Sequence, residues 1–163
     1  MQWVSLLVRL GLAAVFLTAG ALKVTDLPAS GRAVVAYELM PNDLAMTVGA
    51  IQPFFEIALG LLLLLGLATR FAAWVSAATM VVFISGIVSA WARGLNIDCG
   101  CFSKGGHLPP GQTPSYLPEI LRDVGFLAMA IFLIIFPASR FSLDGWLNPV
   151  VQDEGEQTHE QAE

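Results

Sequence analysis

Four long apolar stretches constrain this chain more than any other feature of its sequence. They run from Trp3 to Leu22, Leu44 to Leu67, Phe71 to Trp91, and Ile120 to Phe136. A helix of about 20 apolar residues is long enough to cross the hydrocarbon core of a bilayer. Since that core offers no water to exposed backbone groups, each stretch must satisfy its own hydrogen bonds as a helix. The sequence therefore predicts an all-α protein, a bundle of four transmembrane helices.

The charges separate this apolar body from an acidic end. Of the 163 residues, 56% are hydrophobic and only 13% are charged. The net charge of −5 comes from the last residues of the chain, namely Asp153, Glu154, Glu156, Glu160 and Glu163. We predict a transmembrane domain over residues 1–148 and a disordered tail over 149–163, because an acidic, unpatterned segment cannot bury a core. Lipid is the expected surrounding, and without a basic stripe no nucleic-acid partner is expected.

The connections between the apolar stretches predict two further elements. Residues 23–43 contain a short helical segment that Ser30 could cap and Pro41 would end, and we expect it to lie in the membrane interface. The longest connection, residues 93–119, joins the third and fourth stretches and contains several prolines. It carries the two cysteines of the chain, so any cysteine chemistry belongs to this loop.

Cys99 and Cys101 are separated only by Gly100. A disulfide between them would close a very small ring, and glycine relaxes the backbone restrictions that would keep the two sulfurs apart. Such a ring removes little chain entropy, so it would add little stability. Labile disulfides of this kind suit electron transfer better than structural cross-linking. The pair therefore favours thiol–disulfide exchange.

Two other interpretations of this pair stay open. Asp98, Cys99, Cys101 and His107 could supply metal ligands, but one Cys-x-Cys with a single distant histidine lacks the spacing of a zinc site, so no metal is expected. Alternatively, the two thiols could be part of a fixed turn without chemistry.

Several motifs in order carry a resemblance to a known family. They are Arg9, TAGALKVTD (Thr18 to Asp26), AYELMP (Ala36 to Pro41), PFFEIALGLLLLLG (Pro53 to Gly66) and DCGCF (Asp98 to Phe102). On these residues the chain resembles the MauE/DoxX group of redox-associated membrane proteins, in which MauE is the methylamine-utilisation member. The glycine-rich helix motifs are common on their own, but their order before Asp-Cys-Gly-Cys-Phe is specific.

The resemblance implies a multi-pass protein of the bacterial cytoplasmic membrane. It implies thiol–disulfide exchange with extracytoplasmic thioredoxin-like or disulfide-bearing proteins, whose maturation the protein would support. Cys99 and Cys101 would be the catalytic pair, with Asp98, Gly100 and Phe102 supporting them. The alternatives from other classes are a non-catalytic membrane scaffold and a carrier of metal ions or small solutes.

Charged and polar residues near the apolar stretches supply the remaining candidates. Glu56 lies near the middle of the second stretch, where an unpaired carboxylate is costly. It could serve as a proton relay or contact a quinone, the one cofactor we consider, or it could pair structurally with Arg9. Lys23, Tyr37 and Arg122 are expected on the same face as the cysteine loop, as interfacial anchors that could also touch the redox site.

The distribution of basic residues conflicts with the side of the membrane that the resemblance implies. The face of the cysteine loop would carry Lys23, Arg32, Arg93 and Lys104, and the opposite face Arg70, Arg140 and Arg9. Basic residues are enriched on the cytoplasmic side, so this count alone would place the cysteines in the cytoplasm. The difference is small, and the two expectations stay opposed at this point.

Overall fold

A computed structural model describes residues 2–100, 105–109 and 111–136 of the chain. Within them lie five helices and one short antiparallel hairpin. The helices are α1 (Gln2–Val24), α2 (Leu27–Ala36), α3 (Asn42–Leu65), α4 (Thr69–Ala92) and α5 (Tyr116–Ile135). The hairpin pairs β1 (Ile97–Asp98) with β2 (Gly106–His107) and lies between α4 and α5. The predicted domain boundary at residue 148 and the tail after it lie outside the described residues.

Three of these helices, α1, α3 and α4, are long and apolar enough to cross a membrane. This finding supports the first three predicted spans. The helix α5 has 20 residues, but its first two turns carry Glu119, Arg122 and Asp123, and it is not among the candidate spans in the described part of the chain. The helix thus exists where a fourth span was expected, and its crossing of the membrane stays a prediction.

The main core lies where the four long helices meet. It contains Leu12 and Phe16 of α1, Leu59 and Leu63 of α3, Ala72 and Ala73 of α4, and Ala130 and Leu133 of α5. A second cluster joins Tyr116, at the start of α5, to Ala90, near the end of α4. Since the end of α5 packs near the start of α4 and its start packs near the end of α4, the two helices are antiparallel. The described helices therefore form a bundle, as predicted.

The short helix α2 is present, but it begins differently from the prediction. Asp26 is the N-cap, and its side chain accepts a hydrogen bond from the Ala29 N–H at 3.0 Å. Ser30, predicted as the cap, lies inside the helix, where its hydroxyl is within 3.3 Å of the Lys23 carbonyl. Asp26 takes the capping position because its carboxylate precedes Pro28, which is favoured in the first helical turn. The helix ends at Ala36, before Pro41, and its predicted place in the membrane interface stays a prediction.

Glycine allows α2 to pack closely against the first half of α3. A Cβ atom added to Gly49 would lie 2.5 Å from the Ser30 carbonyl oxygen and 2.6 Å from the Gly31 Cα. Both of those atoms are backbone, so they cannot move aside without displacing α2. This contact positions the helix on which the cysteine hairpin rests.

Gly49→Ala is therefore expected to destabilise the protein by about 1–3 kcal/mol, the usual cost of inserting atoms into a packed contact. Gly125→Ala is the matched control, because an added Cβ there meets no atom within 4 Å. Denaturant unfolding of both purified variants in detergent checks the expectation. Equal stability of the two variants would contradict the close packing of α2 on α3.

Candidate functional site

The hairpin holds Cys99 at the end of the bundle where α1 and α4 finish and α5 begins. Ile97 pairs with His107, and Asp98 with Gly106. The Asp98 side chain then accepts a hydrogen bond from the Gly100 N–H at 3.1 Å, which turns the chain directly after the strand. Cys99 lies within this turn and is only 8% exposed. The structure thus places Asp98, Cys99 and Gly100 together, as parts of one turn.

Two glycines bring the ends of the cysteine segment into contact on the surface of α2. Gly100 and Gly105 both have left-handed φ angles, of +71° and +62°. A Cβ on Gly105 would lie 2.5 Å from the Ala33 Cβ and 2.9 Å from the Gly100 Cα. Only glycine fits both the backbone angle and the space. The predicted site residues Cys101 and Phe102 fall between these glycines and lie outside the described residues.

Two tyrosines hold the backbone around Cys99. The Tyr37 hydroxyl, at the end of α2, donates a hydrogen bond to the Cys99 carbonyl oxygen at 3.1 Å. The Tyr116 hydroxyl donates to the Leu95 carbonyl and accepts from the Ile97 N–H. The hairpin is therefore attached to α2 on one side and α5 on the other. Tyr37, predicted as an interfacial residue that could touch the site, contacts Cys99 through its backbone.

The sulfur of Cys99 lies between a cation and two carboxylates. Arg122 Nη2 is 4.0 Å from the Cys99 Sγ. A side-chain oxygen of Asp98, the Cys99 Sγ and a side-chain oxygen of Glu119 all lie within 4.8 Å of one another. A neighbouring guanidinium favours the thiolate, and a neighbouring carboxylate can take up the proton of the thiol. The surroundings of Cys99 therefore suit reversible deprotonation.

Glu119 lies one residue before the predicted fourth span, in the first turn of α5. Burial raises the pKa of its carboxyl above the usual range, and its hydrogen bond with Cys99 opposes part of that effect. A carboxyl whose pKa is raised in this way is a better proton acceptor than an ordinary surface glutamate. Its position beside the thiol makes Glu119 the candidate general base of the site.

Glu56 is paired, and its partner is Lys23. The Lys23 Nζ donates to Glu56 Oε1 at 2.6 Å, and the Gln52 Nε2 donates to the same oxygen at 2.9 Å. Lys23 is 7% exposed and Glu56 is 1% exposed, so the ion pair lies inside the protein.

The predicted pair of Glu56 with Arg9 is wrong. The end of α1 lies opposite the middle of α3, because Gly20 packs directly on the Pro53 carbonyl and on Ile57. Lys23 is thereby brought to the level of Glu56. Arg9 is buried eleven residues before Gly20, and at 1.5 Å per residue it lies roughly 17 Å farther along the helix axis.

A third buried charge connects the ion pair with the surroundings of Cys99. Asp123 is almost fully buried and accepts from Arg122, with 3.0 Å between Oδ1 and Nη2. A small cavity of about 20 Å³ is lined by Asp123, Lys23 and Glu56 together. Ionisable groups thus follow one another from Cys99 through Arg122 and Asp123 to the Lys23–Glu56 pair.

Comparison with protein families gives a match over residues 1–136 to the family described as Methylamine utilisation protein MauE. The chain belongs to the MauE family. The MauE part of the predicted resemblance is thereby confirmed, whereas the match does not bear on the DoxX part. Comparisons with curated proteins and with solved structures give no match. Family membership and the three apolar helices together make the chain a multi-pass membrane protein of methylamine utilisation.

Of the metal ligands considered from the sequence for this MauE-family chain, Asp98 and Cys99 lie together and His107 does not, whereas Cys101 lies outside the described residues. Among the described residues, the group close enough to share an ion is Asp98, Cys99 and Glu119. His107 is not part of that group, since it is exposed on β2 opposite Ile97. Two carboxylates beside one thiol can serve proton transfer as well as metal binding, so this group does not by itself indicate a metal.

Sequence reasoning missed Glu119, and it considered Arg122 only as an interfacial anchor that could touch the redox site, which its guanidinium does at the Cys99 sulfur. Both belong to the first two turns of α5, and residues three apart on a helix lie on the same face. That spacing was a signal of a shared face. Only the packing of α5 against the hairpin shows that this face meets Cys99.

Proposed function

We propose that this MauE-family protein is a membrane thiol–disulfide redox protein in which Cys99 and Cys101 form a reversible disulfide. The disulfide exchanges with thiols of an extracytoplasmic thioredoxin-like or disulfide-bearing client, and it thereby supports maturation of that client. The observation that carries the proposal is the position of the Cys99 sulfur beside the Arg122 guanidinium and the Glu119 carboxyl. A structural cysteine has no use for a cation and a base at its sulfur.

Exchange with a client proceeds through two successive thiolate attacks. A client thiolate attacks one sulfur of the Cys99–Cys101 disulfide, and the other sulfur leaves as a thiolate in a mixed disulfide. The second client thiolate then attacks the mixed disulfide and releases an oxidised client and a reduced cysteine pair. Two electrons pass from the client to the pair. Arg122 stabilises the charge on Cys99 when it is the leaving thiolate, and Glu119 holds or returns its proton.

The proposal includes a fourth span. The helix α5 runs antiparallel along α4, from the cysteine hairpin to the residues at the start of α4. Its three charged residues lie at one end, and the segment from Val124 to Ile135 carries none. A helix with its charges at the hairpin end can keep them at the membrane surface while its apolar remainder crosses the hydrocarbon core.

The contacts of one basic residue support the extracytoplasmic side for the hairpin. Basic residues are enriched on the cytoplasmic side of membrane proteins. Lys23, one of the four counted on this face, is buried in its ion pair with Glu56, so its charge is compensated inside the protein. Without Lys23 the two faces carry equal numbers of the counted basic residues.

Thiol labelling in intact cells tests both the chemistry and the side. Cells expressing the full chain are labelled with a membrane-impermeant maleimide, with and without prior mild reduction. We expect labelling of intact cells to require reduction, because the pair is largely oxidised at rest. The variant in which both cysteines are replaced by serine is the control for background.

Labelling that appears only after the cells are opened would place the hairpin in the cytoplasm and overturn the extracytoplasmic role. Cysteines that stay reduced under all conditions would instead favour the scaffold alternative, in which the protein holds a client without exchanging electrons.

A further inference from the structure

A cavity of about 200 Å³ lies beside the cysteine hairpin. Its walls come from the end of α1, from α2, from the first half of α3 and from the middle of α4. Cys99 and Gly100 form part of the wall. Most of the other lining side chains are aliphatic or aromatic, so the cavity suits an apolar ligand with a few polar atoms.

Two polar groups of this cavity are hydrogen-bond donors with capacity to spare, and Thr25, Ser30 and the Asp26 carboxylate line it as well. Lys23 and Gln52 both line it, and both donate to Glu56 Oε1. An ammonium has three N–H bonds and a side-chain amide has two, so each group can make a further bond. Phe83 and Tyr37 add aromatic rings to the lining. These features match a flat ring that carries carbonyl oxygens.

The rim of the cavity faces the surroundings of the bundle. Leu22, Val48 and Val82 line the cavity and are exposed. They belong to α1, α3 and α4, the three helices long and apolar enough to span a membrane. A ligand dissolved in the lipid can therefore reach the cavity from the side, without passing through water.

We infer that this cavity binds a membrane quinone, which reoxidises the Cys99–Cys101 pair. The inference rests on the proposed function, because a pair that oxidises client thiols must pass on the electrons it receives. The two thiols lose two electrons and two protons and form a disulfide. The quinone takes up both electrons and both protons and becomes a quinol. Glu119 receives the proton of Cys99, and Lys23 and Gln52 hold a quinone carbonyl as negative charge develops on it.

The test uses the purified full chain, reduced and freed of reductant in lipid nanodiscs, with decylubiquinone as the acceptor. We expect one disulfide to form for each quinol, measured by the ultraviolet absorbance of the quinone and by thiol titration. Val48→Trp, which fills the cavity from its rim, is expected to raise the decylubiquinone concentration that gives half the maximal rate of oxidation about tenfold. Val81→Trp is the matched control, since Val81 is similarly exposed on α4 but does not line the cavity. Leu22→Trp repeats the test from α1 if Val48→Trp does not fold.

Exchange with an aromatic disulfide reagent, 5,5′-dithiobis(2-nitrobenzoate), is measured on the same samples. A protein that reacts with this reagent but not with decylubiquinone overturns the quinone inference and leaves the proposed exchange intact. A protein that reacts with neither overturns both. Equal half-saturating decylubiquinone concentrations for the cavity variants and Val81→Trp would mean that the cavity holds a lipid chain or nothing, and would overturn the site.

Discussion

Cys101→Ser is expected to trap the protein in a covalent adduct with the oxidised form of its client and to lower disulfide exchange by at least about 100-fold, because the Cys99 thiolate can still attack the client disulfide while the Cys101 thiol that would resolve the mixed disulfide is gone. Cys99→Ser should trap an adduct by the same logic. The adducts appear on non-reducing gels of membranes from cells that also produce the methylamine-utilisation proteins, and they disappear on reduction. The trapped client is then identified by mass spectrometry.

Ser103→Ala is the control for this experiment, since it alters the same segment and keeps both thiols. It should give no adduct and near-normal exchange. The double serine variant should give neither adduct nor exchange. An adduct that persists in the double variant would show that the contact with the client does not use these sulfurs, and the redox proposal would then fail.

Glu56→Gln is expected to destabilise the protein by about 3–5 kcal/mol, because it leaves the Lys23 ammonium uncompensated inside the bundle. Lys23→Met should cost a similar amount, since it leaves the Glu56 carboxylate alone. The double variant Lys23→Met, Glu56→Gln should recover most of the loss, because no buried charge remains unpaired. Denaturant unfolding in detergent measures all three, with Asp43→Asn as the control for removing an exposed carboxylate from α3.

A double-mutant cycle with Arg9 distinguishes the two pairings. Arg9 and Glu56 lie at different levels of the bundle, so the effects of Arg9→Gln and Glu56→Gln should add within about 0.5 kcal/mol. Lys23→Met and Glu56→Gln should instead show strong coupling. Coupling between Arg9 and Glu56 in place of coupling with Lys23 would contradict the observed register of α1 on α3.

The error over the partner of Glu56 has a physical cause. The sequence places Arg9 and Glu56 in two apolar stretches of similar length, and aligning these stretches antiparallel brings the two residues within reach of their long side chains. In the structure, close packing of Gly20 against Pro53 and of Gly60 against Leu17 sets a different register between α1 and α3. Helix length and hydropathy carry no information about that offset.

The cysteine site likewise has one part that the sequence predicts and another part that only the structure shows. Cys-Gly-Cys could be identified from the sequence because two cysteines in an apolar chain stand out and glycine between them permits a tight ring. The roles of Glu119 and Arg122 could not, since charged residues at the start of an apolar helix are also ordinary features of a membrane boundary. They become site residues only because α5 packs with that face toward the hairpin.

The sequence by itself determined the class of the protein, because long apolar stretches must form helices wherever water is absent. It also determined the place of the cysteine pair in one loop and, through the order of its motifs, the MauE family. The tertiary structure alone decided that Lys23 pairs with Glu56, that Glu119 and Arg122 meet Cys99, and that an apolar cavity lies beside the sulfur. These are contacts between residues distant in the chain, and they depend on the register and rotation of packed helices, which small residues at the crossings set and local sequence does not record.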